Sequence, residues 1–77
     1  MKAILEFNLP DDDQEYDLAN NAMRFWNVLW ELDQELRANT KYAPDDMTDE
    51  DYDAYQKIRD KLYELMRENN VSLDMVK

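Results

Sequence analysis

The sequence predicts a mainly α (α+β) protein, in which a short N-terminal β-strand precedes an antiparallel two-helix hairpin that we expect to be dimeric. Two patterns predict this fold: apolar residues alternate near the start, and later recur at steps of three and four. The 77 residues are enough for one domain at most, spanning residues 1–77.

The predicted strand covers about residues 2–9. Its alternating apolar residues lie on one face of an extended segment; they are Ala3, Leu5, Phe7 and Leu9. Pro10 and the acidic run behind it end the strand. A lone strand leaves its backbone donors and acceptors without partners, so we expect antiparallel pairing with a second copy across a two-fold axis.

The first helix is predicted over about residues 11–38, because the aspartates at its start are good N-caps. Its apolar residues form a heptad seam of Leu18, Ala22, Phe25, Leu29, Leu32 and Leu36. We expect Asn39 to end the helix in the left-handed conformation. A loop over residues 39–47 follows.

The second helix is predicted over about residues 48–69, with Thr48 as its N-cap and Asn69-Asn70 as its stop. Its seam consists of Tyr55, Ile58, Leu62 and Leu65. Because the link is short, the two helices should be antiparallel neighbours. The tail over residues 70–77 either adds one turn capped by Ser72 or frays.

The first helix carries a second apolar row beside its seam: Ala19, Met23, Trp26 and Trp30. One antiparallel partner covers only about a hundred degrees of a helix, so something else must cover this row. The N-terminal strand, a second copy or a target protein could do so. In the simplest alternative, the strand and the aromatic residues complete the core of one compact monomer. The predicted oligomer or partner interface comprises Leu5, Phe7, Met23, Trp26, Trp30 and Tyr63.

Nineteen acidic and nine basic residues give a net charge of −10, which disfavours nucleic acid and anionic membranes and favours a basic protein surface. The acids form two clusters: Asp11, Asp12, Asp13, Glu15 and Asp17, and then Asp45, Asp46, Asp49, Glu50, Asp51 and Asp53. One interpretation is that they stabilise helix N-termini and keep the protein soluble. A second is that they imitate the phosphates of a nucleic acid, and a third is that they bind cations or are locally disordered.

The chain has no His, Cys or Gly, which closes the common routes to nucleophilic, metal and nucleotide chemistry. We therefore expect no enzyme, no cofactor and no metal. The spacing Asp49-x-Asp51-x-Asp53 is similar to the start of a calcium loop, but Ala54 replaces the required Gly and the segment is typical of continuous helix. Without a secretory signal or a membrane span, the expected location is the cytoplasm.

The chain opens with Lys2-Ala3-Ile4-Leu5-Glu6-Phe7-Asn8-Leu9-Pro10-Asp11-Asp12, and later contains Leu29-Trp30-Glu31-Leu32-Asp33-Gln34, Leu36-Arg37 and Lys41-Tyr42. These stretches resemble a group of short bacteriophage and prophage proteins that open with a KAxLEFNLP-type strand. The resemblance is strong over the first half of the chain and weak at Glu68-Asn69-Asn70. It implies a phage origin, and a host-cell cytoplasm, rather than an activity or any functional residue.

These observations predict a phage-type accessory protein that binds, and inhibits, a host or phage protein through its acidic surfaces. In its most specific form, the hypothesis is that the protein blocks a nucleic-acid-binding protein, such as a defence nuclease or a replication or transcription factor. One alternative is a homo-oligomeric scaffold that sequesters a small ligand, with Arg24, Lys41 and Tyr42 as contacts if the ligand is an anion. Another is a structural component of a phage complex.

Overall fold

The computed structural model describes residues 1–75, which contain two long helices joined by a short loop. Helix α1 spans Asp13–Ala38 and helix α2 spans Asp49–Glu68, so the predicted helical hairpin is confirmed. A 3₁₀ turn, Leu73–Met75, follows α2, within the predicted tail. The last two residues of that tail, 76 and 77, lie outside the described residues.

In the described part of the chain, residues 2–9 form no strand, and the predicted N-terminal strand is therefore wrong. A strand requires a neighbour for its backbone hydrogen bonds, and no second strand exists in residues 1–75. The segment instead runs exposed to a turn, where the backbone nitrogen of Asp12 donates to the carbonyl oxygen of Asn8 at 2.8 Å. Leu9 and Pro10 are joined by a cis peptide bond in this turn.

Hydrogen-bonded caps fix the two ends of α2. The Thr48 hydroxyl accepts a hydrogen bond from the backbone nitrogen of Asp51 at 3.1 Å, as the capping pattern predicts. At the other end, Asn70 has φ of 57°, the left-handed conformation in which Asn often ends a helix. The same stop was predicted for Asn39 at the end of α1 and is wrong, since its φ is −99°.

The hairpin core is small and lies near one end of α1. Among residues 1–75, the buried hydrophobic side chains are Leu36, Leu62 and Met66. Tyr63, near the end of α2, contacts Asp33, and the 3₁₀ turn that follows α2 contacts Trp26. The residues of α1 that precede Trp26 therefore have no α2 residue beside them, and the first half of α1 extends past the end of α2. We call α1 residues 13–25 the overhang; at 1.5 Å per residue it is about 20 Å long.

The hairpin is elongated and exposes far more surface than a compact protein of its size. Its radius of gyration is 17.2 Å and its longest dimension is 54 Å, whereas a compact 77-residue domain has a radius of gyration of roughly 11.5 Å. The accessible surface is 6884 Å², about 1,900 Å² above the roughly 5,000 Å² expected for a compact protein of this mass. No helix in residues 1–75 is long and apolar enough to span a membrane.

Candidate functional site

The first acidic cluster, within residues 11–17, surrounds the N-terminus of α1. Its carboxylates are exposed apart from that of Asp12, which is half-buried. Asp12 does not cap α1 with its side chain. Its Oδ2 instead accepts a hydrogen bond from the backbone nitrogen of Asn8 at 2.9 Å. One member of this cluster therefore stabilises the turn before the helix, and the other carboxylates face solvent.

The second acidic cluster, within residues 45–53, occupies the loop and the first turns of α2. All six of its carboxylates belong to exposed residues. Since Thr48 caps α2, no carboxylate of the cluster is needed for that cap. Among residues 1–75, the salt bridge is between Lys61 and Glu64, so neither cluster is neutralised by an ion pair. Asp49 to Asp60 lie in continuous helix, as expected, and the described residues contain no carboxylate group arranged for a metal ion.

The structure places the two acidic clusters at opposite ends of the hairpin. The N-termini of α1 and α2 point in opposite directions because the helices are antiparallel, and α1 alone is about 39 Å long. This separation is close to one helical turn of DNA, about 34–36 Å. The fold therefore presents two negative patches at a spacing that a long basic groove could contact together.

A cleft of about 510 Å³ lies between the middle of α1, the end of α2 and the 3₁₀ turn. The rings of Trp26 and Trp30 stack in it, with centroids 6.3 Å apart and planes at 26°. The Trp26 indole nitrogen donates to the carbonyl oxygen of Leu73 at 3.1 Å. Arg37 and Arg67 also line the cleft, which therefore combines aromatic surface with hydrogen-bond donors.

Beside these rings, Asp33 and Tyr63 form the polar contact that joins the two helices. Asp33 is only 5% exposed, and its Oδ1 accepts a hydrogen bond from the Tyr63 hydroxyl at 2.5 Å. Burial raises the pKa of Tyr63 above its ordinary value of 10.0, and the hydrogen bond to Asp33 raises this pKa further. The Arg59 guanidinium carbon lies 5.4 Å from the centroid of the Tyr63 ring.

The predicted interface residues separate into two groups. Leu5, Met23 and Trp30 are exposed and remain accessible to a partner, although one face of the Trp30 ring stacks on Trp26. The other three contact their own chain: Phe7 packs edge-on against Tyr16 with ring centroids 5.6 Å apart, and Trp26 and Tyr63 are half-buried and hydrogen-bonded as described above. The six residues therefore do not form one surface.

Comparison with protein-family models, with curated proteins and with solved structures finds no match for this chain. The geometry of the molecule is therefore what can indicate its function.

A larger apolar surface lies on the overhang and on the side of the hairpin away from the cleft. A groove of about 420 Å³ runs along the overhang and past the 3₁₀ turn, and apart from Ser72 its lining residues are apolar. Further along the hairpin, α1 and α2 both expose apolar side chains on the side opposite Trp30 and Tyr63; these are Val28, Leu32, Ile58 and Leu65.

Sequence reasoning missed the role of Asp33, because its spacing to Arg37 is that of an ordinary surface ion pair. In the structure, Arg37 instead lies over Tyr42, with its guanidinium carbon 5.6 Å from the ring centroid. A signal was present: Asp33 continues the apolar row that contains Trp26 and Trp30. A carboxylate in an apolar row indicates a buried polar group that needs a hydrogen-bond partner.

Proposed function

We propose that this protein is a non-catalytic binding protein that forms a homodimer and attaches to a basic surface of another protein. In this proposal the acidic clusters make contact with the partner, and the exposed apolar surface holds the dimer together. The net charge of −10 favours a target whose own surface is basic, such as a nucleic-acid-binding protein. If the chain has the phage origin that the resemblance implies, it would act as an accessory protein that inhibits such a target in the host cytoplasm.

The observation that carries the proposal is the surface that the hairpin leaves exposed. A stable protein–protein interface buries about 800 Å² per partner, and the chain exposes about 1,900 Å² more than a compact protein of its mass. Within residues 1–75, a core of three buried hydrophobic side chains is also small for a chain that has no Cys or His for a disulfide or a structural zinc. Association would cover this surface and add to the core.

The distribution of charge supports a basic partner. Both acidic clusters are solvent-facing and lack salt bridges within residues 1–75, so their negative potential is not cancelled locally. Complementary charge accelerates association and selects among partners. A protein groove that holds a DNA duplex presents basic residues over a comparable length, because one helical turn is about 34–36 Å.

The test begins with affinity capture of partners from host lysate, followed by binding measurements on each captured protein at low and high salt. We expect a partner whose affinity falls at least tenfold between about 50 and 500 mM salt, because exposed charge pairs are screened over this range. The first variant replaces the six acids of the second cluster by their amides and should lose binding.

A matched control variant replaces six exposed acids outside the clusters by amides, which gives the same net charge. These acids are Glu6, Glu31, Glu35, Asp60, Glu64 and Glu68. The control should retain most of the binding, and far-UV circular dichroism should show that both variants remain helical. Equal loss in both variants would indicate a dependence on net charge alone, and would contradict a specific role for the second cluster.

The cleft favours a second candidate, in which the dimer sequesters a small ligand. Its volume of about 510 Å³ lies within the range of small-molecule sites, and its stacked indoles could hold a planar group. Arg37 and Arg67 are the cations that line it; the predicted contacts Arg24, Lys41 and Tyr42 are not among its lining residues. Ligand binding that quenches tryptophan fluorescence and is lost in Trp30→Ala would support this candidate.

A further inference from the structure

We propose that the dimer forms where the α1 helices of two copies cross antiparallel at Ala22, each overhang lying in the groove of the other copy. This inference rests on the dimer of the proposed function and adds to it the surface, the direction and the contact residues.

The overhang carries the part of the α1 seam for which the chain has no second helix. Leu18, Ala22 and Phe25 follow the same heptad spacing as Leu29 and Leu36, which pack in the hairpin core. Beyond the end of α2 this spacing continues without a partner helix. Leu18 is 58% exposed and Phe25 is 57% exposed, and both line the apolar groove.

A second copy suits this surface because its large apolar residues are placed almost symmetrically about Ala22, with Leu18 four residues before it and Phe25 three residues after it. A two-fold axis perpendicular to both helices pairs Ala22 with Ala22 of the partner subunit, and Leu18 with the partner's Phe25. The small alanine lets the helices approach closely at the crossing point. The large side chains on either side then fill the space between the two helices.

Charge favours the antiparallel direction over the parallel one. Parallel overhangs would place the two copies of the first acidic cluster side by side, with repulsion between their carboxylates. In the antiparallel arrangement each α1 N-terminus lies nine residues from the crossing point, so the two N-termini are about 27 Å apart along the helices. That distance exceeds the Debye length of about 8 Å at physiological salt.

The area also fits a dimer. The chain as a whole, polar atoms and the exposed N-terminal segment included, has about 1,900 Å² more accessible surface than a compact protein of its mass. A standard interface of roughly 800 Å² per partner needs less than half of this excess. Contact at the overhang leaves the second acidic cluster at the far end of each hairpin, where it stays accessible to a third protein.

Cysteine cross-linking tests the inference directly, because the chain has no native Cys. Ala22→Cys should form a disulfide-linked dimer under mild oxidation, since a disulfide requires Cα atoms within about 7 Å. Asn20→Cys is the matched control: it lies in the same exposed overhang but on the polar side of α1. We expect at least about tenfold more cross-linked dimer from Ala22→Cys than from Asn20→Cys.

Two further variants test whether the two α1 helices cross antiparallel or parallel. Leu18→Cys and Phe25→Cys should cross-link when mixed, and each should cross-link poorly with itself. Efficient self-linking of Leu18→Cys would indicate a parallel crossing and overturn the antiparallel arrangement.

Sedimentation of each reduced variant separates failure of the inference from failure of the proposed dimer. A reduced Ala22→Cys protein that is dimeric, yet cross-links no better than Asn20→Cys, would overturn the interface and leave the dimer standing. A helical, monomeric Ala22→Cys protein, together with a monomeric wild type, would overturn both. Closure of the groove by the chain's own residues 1–9, or by a different protein, would give this second result.

Discussion

Replacing Tyr63 by Phe should destabilise the hairpin more than the loss of one surface hydroxyl would suggest. The substitution removes the hydrogen bond to Asp33 but keeps the aromatic ring. Asp33 is 5% exposed, and the Tyr63 hydroxyl is its only hydrogen-bond donor among the described residues. A hydrogen bond to a charged group contributes about 1.5–3 kcal/mol; at about 2 kcal/mol, the ratio of folded to unfolded protein falls roughly thirtyfold.

Urea unfolding followed by far-UV circular dichroism measures this effect at one fixed protein concentration. With a denaturant slope of about 1 kcal/mol per molar, typical of a small protein in urea, the midpoint should fall by about 2 M. Tyr52→Phe is the matched control, because Tyr52 lies on the exposed surface of the same helix; its midpoint should stay within about 0.5 M of wild type. A Tyr63→Phe midpoint as close to wild type as that of the control would refute the buried contact.

Three other predictions concern the pH dependence of stability, the N-cap of α2 and the hydrogen bond that holds the 3₁₀ turn. The folded-state pKa of Tyr63 is raised above 10.0, so its stabilising contribution is complete below pH 10 and is lost as pH rises through that raised pKa; the stability gap between wild type and Tyr63→Phe should therefore narrow above pH 10 in urea titrations. Thr48→Ala should cost about 1 kcal/mol in thermal or urea unfolding through loss of the α2 cap, and Thr48→Ser should retain most of that stability. Trp26→Phe removes the hydrogen bond to Leu73 and should accelerate amide hydrogen exchange at residues 70–75; unchanged exchange there would contradict a role for the indole in holding the 3₁₀ turn.

The helices could be predicted from the sequence because their signals are local. Thr48 lies three residues before the backbone nitrogen that it caps, and heptad spacing marks both seams. The Ser72 cap of the final turn, where Ser72 Oγ accepts from the backbone nitrogen of Asp74 at 3.1 Å, is equally local. Such features need only neighbouring residues, and the structure contains them close to the predicted positions.

The strand prediction failed because alternation specifies a face but not a partner. Residues 2–9 have a pattern that suits a sheet, yet the described chain offers no second strand to pair with them. Contacts between distant residues could not be predicted from the sequence either. The Tyr63–Asp33 hydrogen bond joins residues thirty apart, and Trp26 contacts Leu73 across the end of the hairpin. Helical spacing left open whether Trp26 lies in the core or on the surface. In the structure it is half-buried and hydrogen-bonded to Leu73 of its own chain.

The apolar excess of α1 was predictable, whereas the location of its exposed part was not. The width of the apolar arc shows that one antiparallel helix cannot cover it. Four exposed large hydrophobic residues of α1 lie on the overhang: Tyr16, Leu18, Met23 and Phe25. The length of the overhang depends on where α2 ends relative to α1, which follows from the pairing of Asp33 with Tyr63. The predicted interface therefore centred on Trp26 and Trp30, while the structure exposes a longer apolar surface around Ala22.

The central claim is that one chain leaves too much apolar surface exposed to be complete alone, and sedimentation equilibrium of the wild-type protein tests it most directly. The measurement should cover protein concentrations from about 1 to 200 μM, with helix content followed in parallel by circular dichroism. We expect a mass twice that of the 9.3 kDa chain, with helix content falling where the dimer dissociates. A fully helical, cooperatively folded monomer at every concentration would contradict the claim.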